Sequence, residues 1–298
     1  MSAARACVSG TSCAPDARGP LLAVREVACG YEGAAVLQDV SFQLEAGTST
    51  VLLGPNGVGK TTLFKTILGF LPRLGGEILV DGRSVDEWGR RELACLVAYV
   101  PQAHDTAFGF TVHDLILMGR TPHLAGAAAP SRDDERAASA MIEQMGLGHL
   151  AQRPCTSLSG GELQMALIAR ALVQRPRILM MDEPCANLDV GNQAIVLSKV
   201  RELADAGLCV LVTSHDPNHA LVLGDRAIGV FRGGEVQSGP VAEMLTCSVL
   251  ERLYGVPVGM GRVHGMDGRS APVCAPLIGS PAPVRAGGEI EANRGGNL

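Results

Sequence analysis

Residues 54–61 read Gly-Pro-Asn-Gly-Val-Gly-Lys-Thr, the spacing G-x-x-x-x-G-K-[ST]. Such a loop constrains the fold on both sides, because a buried strand must feed it and a helix must leave it. Gly54, Gly57 and Gly59 permit the backbone angles that turn successive N–H groups inward. With Pro55, Asn56 and Val58 between them they form a nest for phosphate oxygens. Lys60 is a point charge for the β/γ-phosphates, and Thr61 offers a hydroxyl to Mg²⁺. The flanks agree: residues 49–53 (Ser-Thr-Val-Leu-Leu) read as a buried strand, and 62–69 as a helix with Leu63, Phe64, Ile67 and Leu68 at helical spacing. That helix aims its positive N-terminal end at the phosphates. The loop implies nucleotide binding without saying which kind of NTPase carries it.

Strands and helices alternate along the rest of the chain. Residues 21–46 alternate in hydropathy (Val24, Val27, Val40, Phe42, Leu44) around a turn near Gly30 to Gly33, and read as antiparallel strands. Residues 77–80 form a strand ending in the hairpin signal Asp81-Gly82, 86–93 a short helix, and 95–100 a buried strand stopped by Pro101. From Thr111 to Leu172 helical signals dominate, with Ser131 capping a helix that runs to Met145 and ends at Gly146. Strands follow at 178–181, 209–213 and 227–231, and a helix over 189–206 is closed by Gly207. This alternation implies an α/β fold with a parallel core. Residues 1–18 and the Gly- and Pro-rich stretch 261–298 lack a core pattern and read as disordered tails around a domain at 19–260.

Composition narrows the classes. A chain of 298 residues, 47% hydrophobic, can bury a large core. No run approaches the roughly 18–20 apolar residues of a membrane span, and Met1 to Ala17 lacks the apolar centre of a signal peptide. Nine cysteines without a C-x-x-C pair argue for a reducing compartment and against a disulfide framework or zinc site. Cys95 and Cys209 read as small hydrophobes inside apolar strands. A net charge of −5 shows no nucleic-acid footprint.

Further motifs carry chemistry. Residues 178–184 (Ile-Leu-Met-Met-Asp-Glu-Pro) deliver Asp182 and Glu183 at the carboxyl end of a strand, where ligands sit in open parallel sheets. Asp182 would hold Mg²⁺ directly or through water, and Glu183 would polarise an attacking water as general base. Residues 158–162 (Leu-Ser-Gly-Gly-Glu) open an apolar helix. Ser159 and Glu162 have the spacing of a capping box, and the same helix start, with Gly160 and Gly161, is an anion site. His215 ends a strand just before Asp216-Pro217, a position suited to a γ-phosphate or to a backbone partner, and a metal pair with His219 is disfavoured. Gln102 follows the Val100-Pro101 turn within reach of Mg²⁺ or a lytic water, unless it is an ordinary loop residue. Tyr31 sits in a Gly-bounded turn, either stacking on a base or lying at the rim. His104, His113, His123, His149 and His264 read as surface or packing residues.

Taken in order, Tyr31, Gly54 to Thr62, Gln102, Leu158 to Glu162, Ile178 to Glu183, Asn187-Leu188-Asp189 and His215 resemble the nucleotide-binding subunit of an ABC transporter over about residues 21–258. The resemblance implies a P-loop NTPase (RecA-like) core with an N-terminal antiparallel β subdomain and an inserted α-helical subdomain at about 103–172. It implies that ATP is bound with Mg²⁺ through the loop, Thr62 included, with an adenine contact from Tyr31 and a D-loop centred on Asp189. It further implies a head-to-tail homodimer in which Ser159 and Gly161 clasp the γ-phosphate held by the opposite subunit. The stretches Tyr-Val-Pro-Gln (99–102), Phe-Thr-Val (110–112), Met-Gly-Arg-Thr-Pro-His-Leu (118–124), Thr-Ser-His-Asp-Pro-Asn-His-Ala (213–220) and Leu-Tyr-Gly-Val-Pro-Val (253–258) are similar to importers of iron–siderophore, haem or cobalamin. Leu163 and Met165 depart from the polar or basic residues common after the signature, and Cys185 from the usual Thr or Ser. The implied activity is ATP hydrolysis coupled to transport. The implied setting is peripheral, on the cytoplasmic face of the inner membrane, with a separate permease and indirectly a substrate-binding protein. A soluble ABC ATPase in iron–sulfur assembly or another non-transport role is the alternative, as is an importer ATPase for a different cargo.

Overall fold

The computed structural model describes residues 19–102, 109–124 and 128–279. The expected tail at 1–18, the last nineteen positions and His104 lie outside the described residues. Strand β1 (Leu22–Tyr31) pairs antiparallel with β2 (Ala34–Leu44). Their turn places Glu32 at φ 49 and Gly33 at φ 81, the left-handed pair that a two-residue hairpin loop requires. Strand β3 (Ser49–Leu53) then enters a second sheet and feeds the glycine loop, from which helix α1 (Lys60–Ile67) departs. The chain returns to add β4 (Gly75–Val80) and β5 (Arg83–Ser84), giving an antiparallel sheet of order β2-β1-β4-β5.

Helix α2 (Arg90–Leu96) leads into β6 (Val97–Val100). A helical layer follows, comprising α3 (Val112–Leu117), α4 (Arg132–Gln144) and α5 (Gly160–Leu172). Then come β7 (Ile178–Met181), α6 (Val190–Asp205), β8 (Cys209–Ser214), α7 (Pro217–Leu223), β9 (Arg226–Val230) and β10 (Val236–Pro240). The second sheet has the order β10-β9-β3-β8-β7-β6, parallel throughout except for the antiparallel edge strand β10. Short helices α8 (Val241–Met244) and α9 (Cys247–Tyr254) precede a hairpin of β11 (Val258–His264) and β12 (Ser270–Pro276).

The two-residue period of the strands divides the core. Val51, Leu53, Val100, Leu179, Met181, Val210 and Val212 pack with the helices that follow β6. Leu52, Val97, Ile178, Met180 and Leu211 point the other way, onto α1 and the antiparallel sheet. Both faces of the parallel strands are therefore covered, which is why they read as unbroken apolar runs.

Three local expectations are corrected. The helix expected at 86–93 is a 3₁₀ turn (Val85–Glu87) followed by α2, whose start is fixed by Gly89 N–H donating to Glu92 Oε2 at 2.9 Å. The strand expected from Cys95 begins at Val97, so Cys95 lies in the last turn of α2, its thiol 3.7 Å from Pro122 O. An unbroken apolar run does not distinguish a last helical turn from a first strand residue. The disordered tail expected from 261 is folded through β12. Leu277 N–H donates to Pro257 O, so odd-numbered positions of β12 bond toward β11, and Pro272 and Pro276 occupy the side where no N–H is needed.

The segment 118–124 fastens the helical layer. At Gly119 a Cβ would overlap the Arg170 carbonyl of α5. Arg120 donates to Val173 O at 2.9 Å, just past the end of α5, and to Asp134 Oδ1 at 2.9 Å. Asp134 is buried and closes the capping box of α4, accepting from Ser131 Oγ at 2.6 Å and Ser131 N at 3.0 Å. The Ser131 hydroxyl first, and then Arg120, hold its carboxyl down at about 2. Because the folded value lies below the unfolded one, this stabilisation is present above about pH 4 and fades toward pH 2. Asp134→Ala is expected to cost about 2–4 kcal/mol at pH 7 by urea unfolding. Asp134→Asn is expected to flatten the loss of stability between pH 4 and pH 2.

Candidate functional site

The glycine loop lies at the carboxyl ends of β3 and its neighbours. A Cβ at Gly54 would meet Val230 O at 2.7 Å, and one at Gly59, with φ 113, would meet Val36 at 2.9 Å. The backbone therefore runs closer to β2 and β9 than any side chain allows. Lys60 is 6% exposed and its Nζ donates to Gly54 O at 2.7 Å and Pro55 O at 3.2 Å. It also pairs with Glu183 Oε1 at 3.6 Å. Burial lowers the Lys60 ammonium from its usual value, and the Glu183 carboxylate opposes that shift.

Asp182 and Glu183 leave β7 beside this lysine. Asp182 N–H continues the strand ladder by donating to Val100 O at 2.9 Å. Its carboxylate accepts from Thr61 Oγ1 at 3.1 Å and from Thr213 Oγ1 at 2.6 Å. Thr213, fully buried at the end of β8, accepts from Glu183 N–H at 2.8 Å. Glu183 itself takes φ 45, a left-handed backbone uncommon for a glutamate. His215 Nδ1 lies 3.3 Å from Glu183 Oε2. Glu183 is thereby held between a buried ammonium and a half-exposed imidazole, a setting suited to accepting a proton from a water in the cleft.

An open cleft of about 440 Å³ is lined by Tyr31, Val36, Asn56, Gly57, Gly59, Lys60, Thr61, Thr62, Gln102, Asp182 and Glu183. Tyr31 stands at its rim, 47% exposed. Val58 packs beneath the loop rather than facing the cleft. His215 adjoins through Glu183. The fold thus joins residues from β1, the loop, β6, β7 and β8.

Ser159, Gly160, Gly161, Glu162 and Asp189 are not part of that cleft. Ser159 Oγ accepts from Glu162 N–H at 3.3 Å, and Glu162 accepts from Ser159 N–H at 2.7 Å, completing the capping box. A Cβ at Gly161 would overlap Asn192, and one at Gly160 would come within 3.1 Å of Leu188. Packing on the start of α6 thus explains Gly161, which the cap does not. Asp189 caps α6, accepting from Asn192 N–H at 2.9 Å and Asn192 Nδ2 at 2.7 Å. Cys185 is buried behind Glu183, its thiol pushed up to about 12 by burial.

Thr213 was not singled out by the sequence reading, although it links Asp182 to Glu183. The available signal is the first of two hydroxyls, Thr213 and Ser214, that end the apolar run 209–212 just before His215.

A family model described as ABC transporter matches residues 37–186. The chain is 40% identical to an uncharacterized ABC transporter ATP-binding protein of Haemophilus influenzae, over 78% of this chain and 89% of that protein. It is 38% identical to a hemin import ATP-binding protein of Rhodococcus jostii, over 76% of this chain and 77% of that one. A solved transporter described as of metal-chelate type, in an inward-facing conformation, superposes with a TM-score of 0.78 at 30% identity, covering 87% of this chain and 98% of that one. The cassette fold, the phosphate loop and the carboxylates at the strand ends meet in one conclusion: the chain belongs to the ABC transporter family, as an importer-type ATP-binding subunit that couples ATP hydrolysis to transport.

Proposed function

We propose that this subunit binds ATP on the Gly54–Thr61 loop and hydrolyses it with Glu183 as general base, driving uptake of an iron complex (siderophore or haem) or cobalamin through a separate permease. The observation that carries the reading is the placement of Glu183 between Lys60 and His215 at the mouth of the loop. Lys60 and the loop N–H groups would hold the β- and γ-phosphates, and Tyr31 the adenine, from the rim. Glu183 would take the proton of the attacking water as it adds to the γ-phosphorus and ADP leaves, while His215 meets the γ-phosphate.

The residues fit Mg²⁺. Thr61 and Asp182 offer oxygens 3.1 Å apart on one wall, with Gln102 lining the same cleft, an oxygen set suited to a hard cation. Thr61, Asp182 and Gln102 would hold the ion, which would supply neutralisation of phosphate charge.

The exposed helix start at Ser159 and Gly160 lies outside the cleft of its own chain. This favours a head-to-tail homodimer in which that start, with Gly161 and Glu162 behind it and the D-loop at Asp189 beside it, closes on the partner's ATP. Among the described residues no helix is long and apolar enough to cross a membrane. Attachment would therefore come from the permease, with a substrate-binding protein acting on its far side. Likeness to a hemin import protein and to a metal-chelate type transporter supports the cargo class.

Glu183→Gln keeps the shape and removes the proton acceptor. Turnover is expected to fall about 100-fold or more while ATP affinity stays within about twofold; near wild-type steady-state ATPase would reject Glu183 as base. In that background, Lys60→Ala and Gly160→Asp chains should each trap little ATP. A mixed dimer carries both lesions in one composite site and leaves the other whole, so it should occlude one ATP; a verified heterodimer that traps none would count against shared sites. Copurification and ATPase stimulation are expected with a permease of the iron-complex or cobalamin type, and exclusive coupling to a sugar or amino-acid permease would overturn the cargo class.

A further inference from the structure

Between 272 and 276 the free edge of β12 offers a single N–H. Of the residues from 272 onward whose main chain faces away from β11, Pro272 and Pro276 have no N–H, and only Cys274 keeps one. That N–H donates to Asn218 Oδ1 at 2.9 Å, and the Cys274 carbonyl accepts from Asn218 Nδ2 at 3.2 Å. A side-chain amide pairs here with the strand as the peptide group of another strand would. The hairpin is seated by burial as well. Cys274 is 6% exposed and shares a core cluster with Ala220, Leu223, Leu250 and Leu253.

Asn218 lies three residues after His215, in the turn that opens α7. Asp216 Oδ1 accepts from Asn218 N–H at 2.8 Å and Asn218 Nδ2 at 3.0 Å, and Asp216 N–H donates to Ser214 Oγ at 3.0 Å. Asp216, the residue after His215, is thus tied through its carboxylate and the Asn218 amide to β12, while its own N–H is held by the Ser214 hydroxyl. The His215 ring is itself loosely held. Its side chain is 53% exposed, and among the described residues its one side-chain hydrogen bond is the 3.3 Å contact with Glu183. Where the imidazole points therefore depends on where the turn is fixed.

We propose that the β11–β12 hairpin, gripping the Asn218 amide through Cys274, holds the turn that sets His215 against Glu183, so that Asn218 is a positioning residue for ATP hydrolysis. The inference rests on reading His215 as the γ-phosphate contact. A misdirected group at the reacting end slows the chemical step more than it weakens nucleotide binding, because most of the residues that would hold ATP line the cleft elsewhere.

The test is steady-state ATPase of the full chain, with kcat and KM for ATP measured on four variants and folding checked by thermal unfolding. Asn218→Ala removes both bonds to the hairpin, Cys274→Pro removes only the main-chain donor, and Cys274→Ala keeps both main-chain groups. His215→Ala is measured alongside. Asn218→Ala and Cys274→Pro are expected to lower kcat about 10-fold with KM within about twofold. Cys274→Ala should stay within about twofold of wild type in both constants, and His215→Ala should lower kcat at least as far as Asn218→Ala. Wild-type kcat in folded Asn218→Ala, an effect on KM alone, or equal damage from Cys274→Ala and Cys274→Pro would overturn the proposal while leaving His215 its role. Wild-type turnover in His215→Ala would instead remove the role on which the proposal rests. Asn218→Ala alters no strand residue and decides the matter should Cys274→Pro fail to fold.

Discussion

The site depends on one buried carboxylate. Asp182 is 6% exposed, and a charge so placed is tolerable only when its oxygens are met by donors. Thr61 meets one oxygen and Thr213 the other, which brings the first turn of α1 and the ends of β7 and β8 to a common point. Thr213 then uses its remaining capacity to accept from Glu183 N–H, fixing the next residue as well. Removing either hydroxyl would leave an acidic oxygen to find another partner and would release the register between loop and carboxylates.

Much of this was legible in the chain. The spacing of 54–61, the apolar run ending at Asp182 and Glu183, and the strand before His215 each follow from a strong local rule, and the parallel sheet follows from their alternation. No local pattern marks Thr213, because its importance lies in which strand end it borders, a tertiary fact. Cys95 reads as strand although it is helical, because apolar periodicity does not mark where a helix yields to a strand. The hairpin of β11 and β12 was hidden for a different reason. Glycine and proline weaken strands in general, yet proline is harmless where the backbone faces away from its neighbour, and composition carries no record of which way a residue faces.

The segment 118–124 serves the interior of the helical layer. Gly119 lets the chain touch α5, Arg120 supplies a donor just beyond the end of that helix, and His123 Nε2 lies 2.9 Å from Gln174 O. These contacts join the segment to α4 and α5 as a single block. The contacts gather at the C-terminal end of α5, one helix length from the Ser159 cap that opens it.

The backbone of Glu183 is held in a conformation that glutamate seldom adopts. At φ 45 a glutamate is strained, whereas asparagine or glycine would sit there with less cost. The conformation persists because Thr213 holds the amide and Lys60 the side chain. Replacement by asparagine or glycine would relieve backbone strain while removing the group best placed to take a proton. Sequences chosen only for thermal endurance would therefore drift away from glutamate at this position. A glutamate at this position gives the chain a less comfortable backbone together with a carboxylate at the mouth of the cleft.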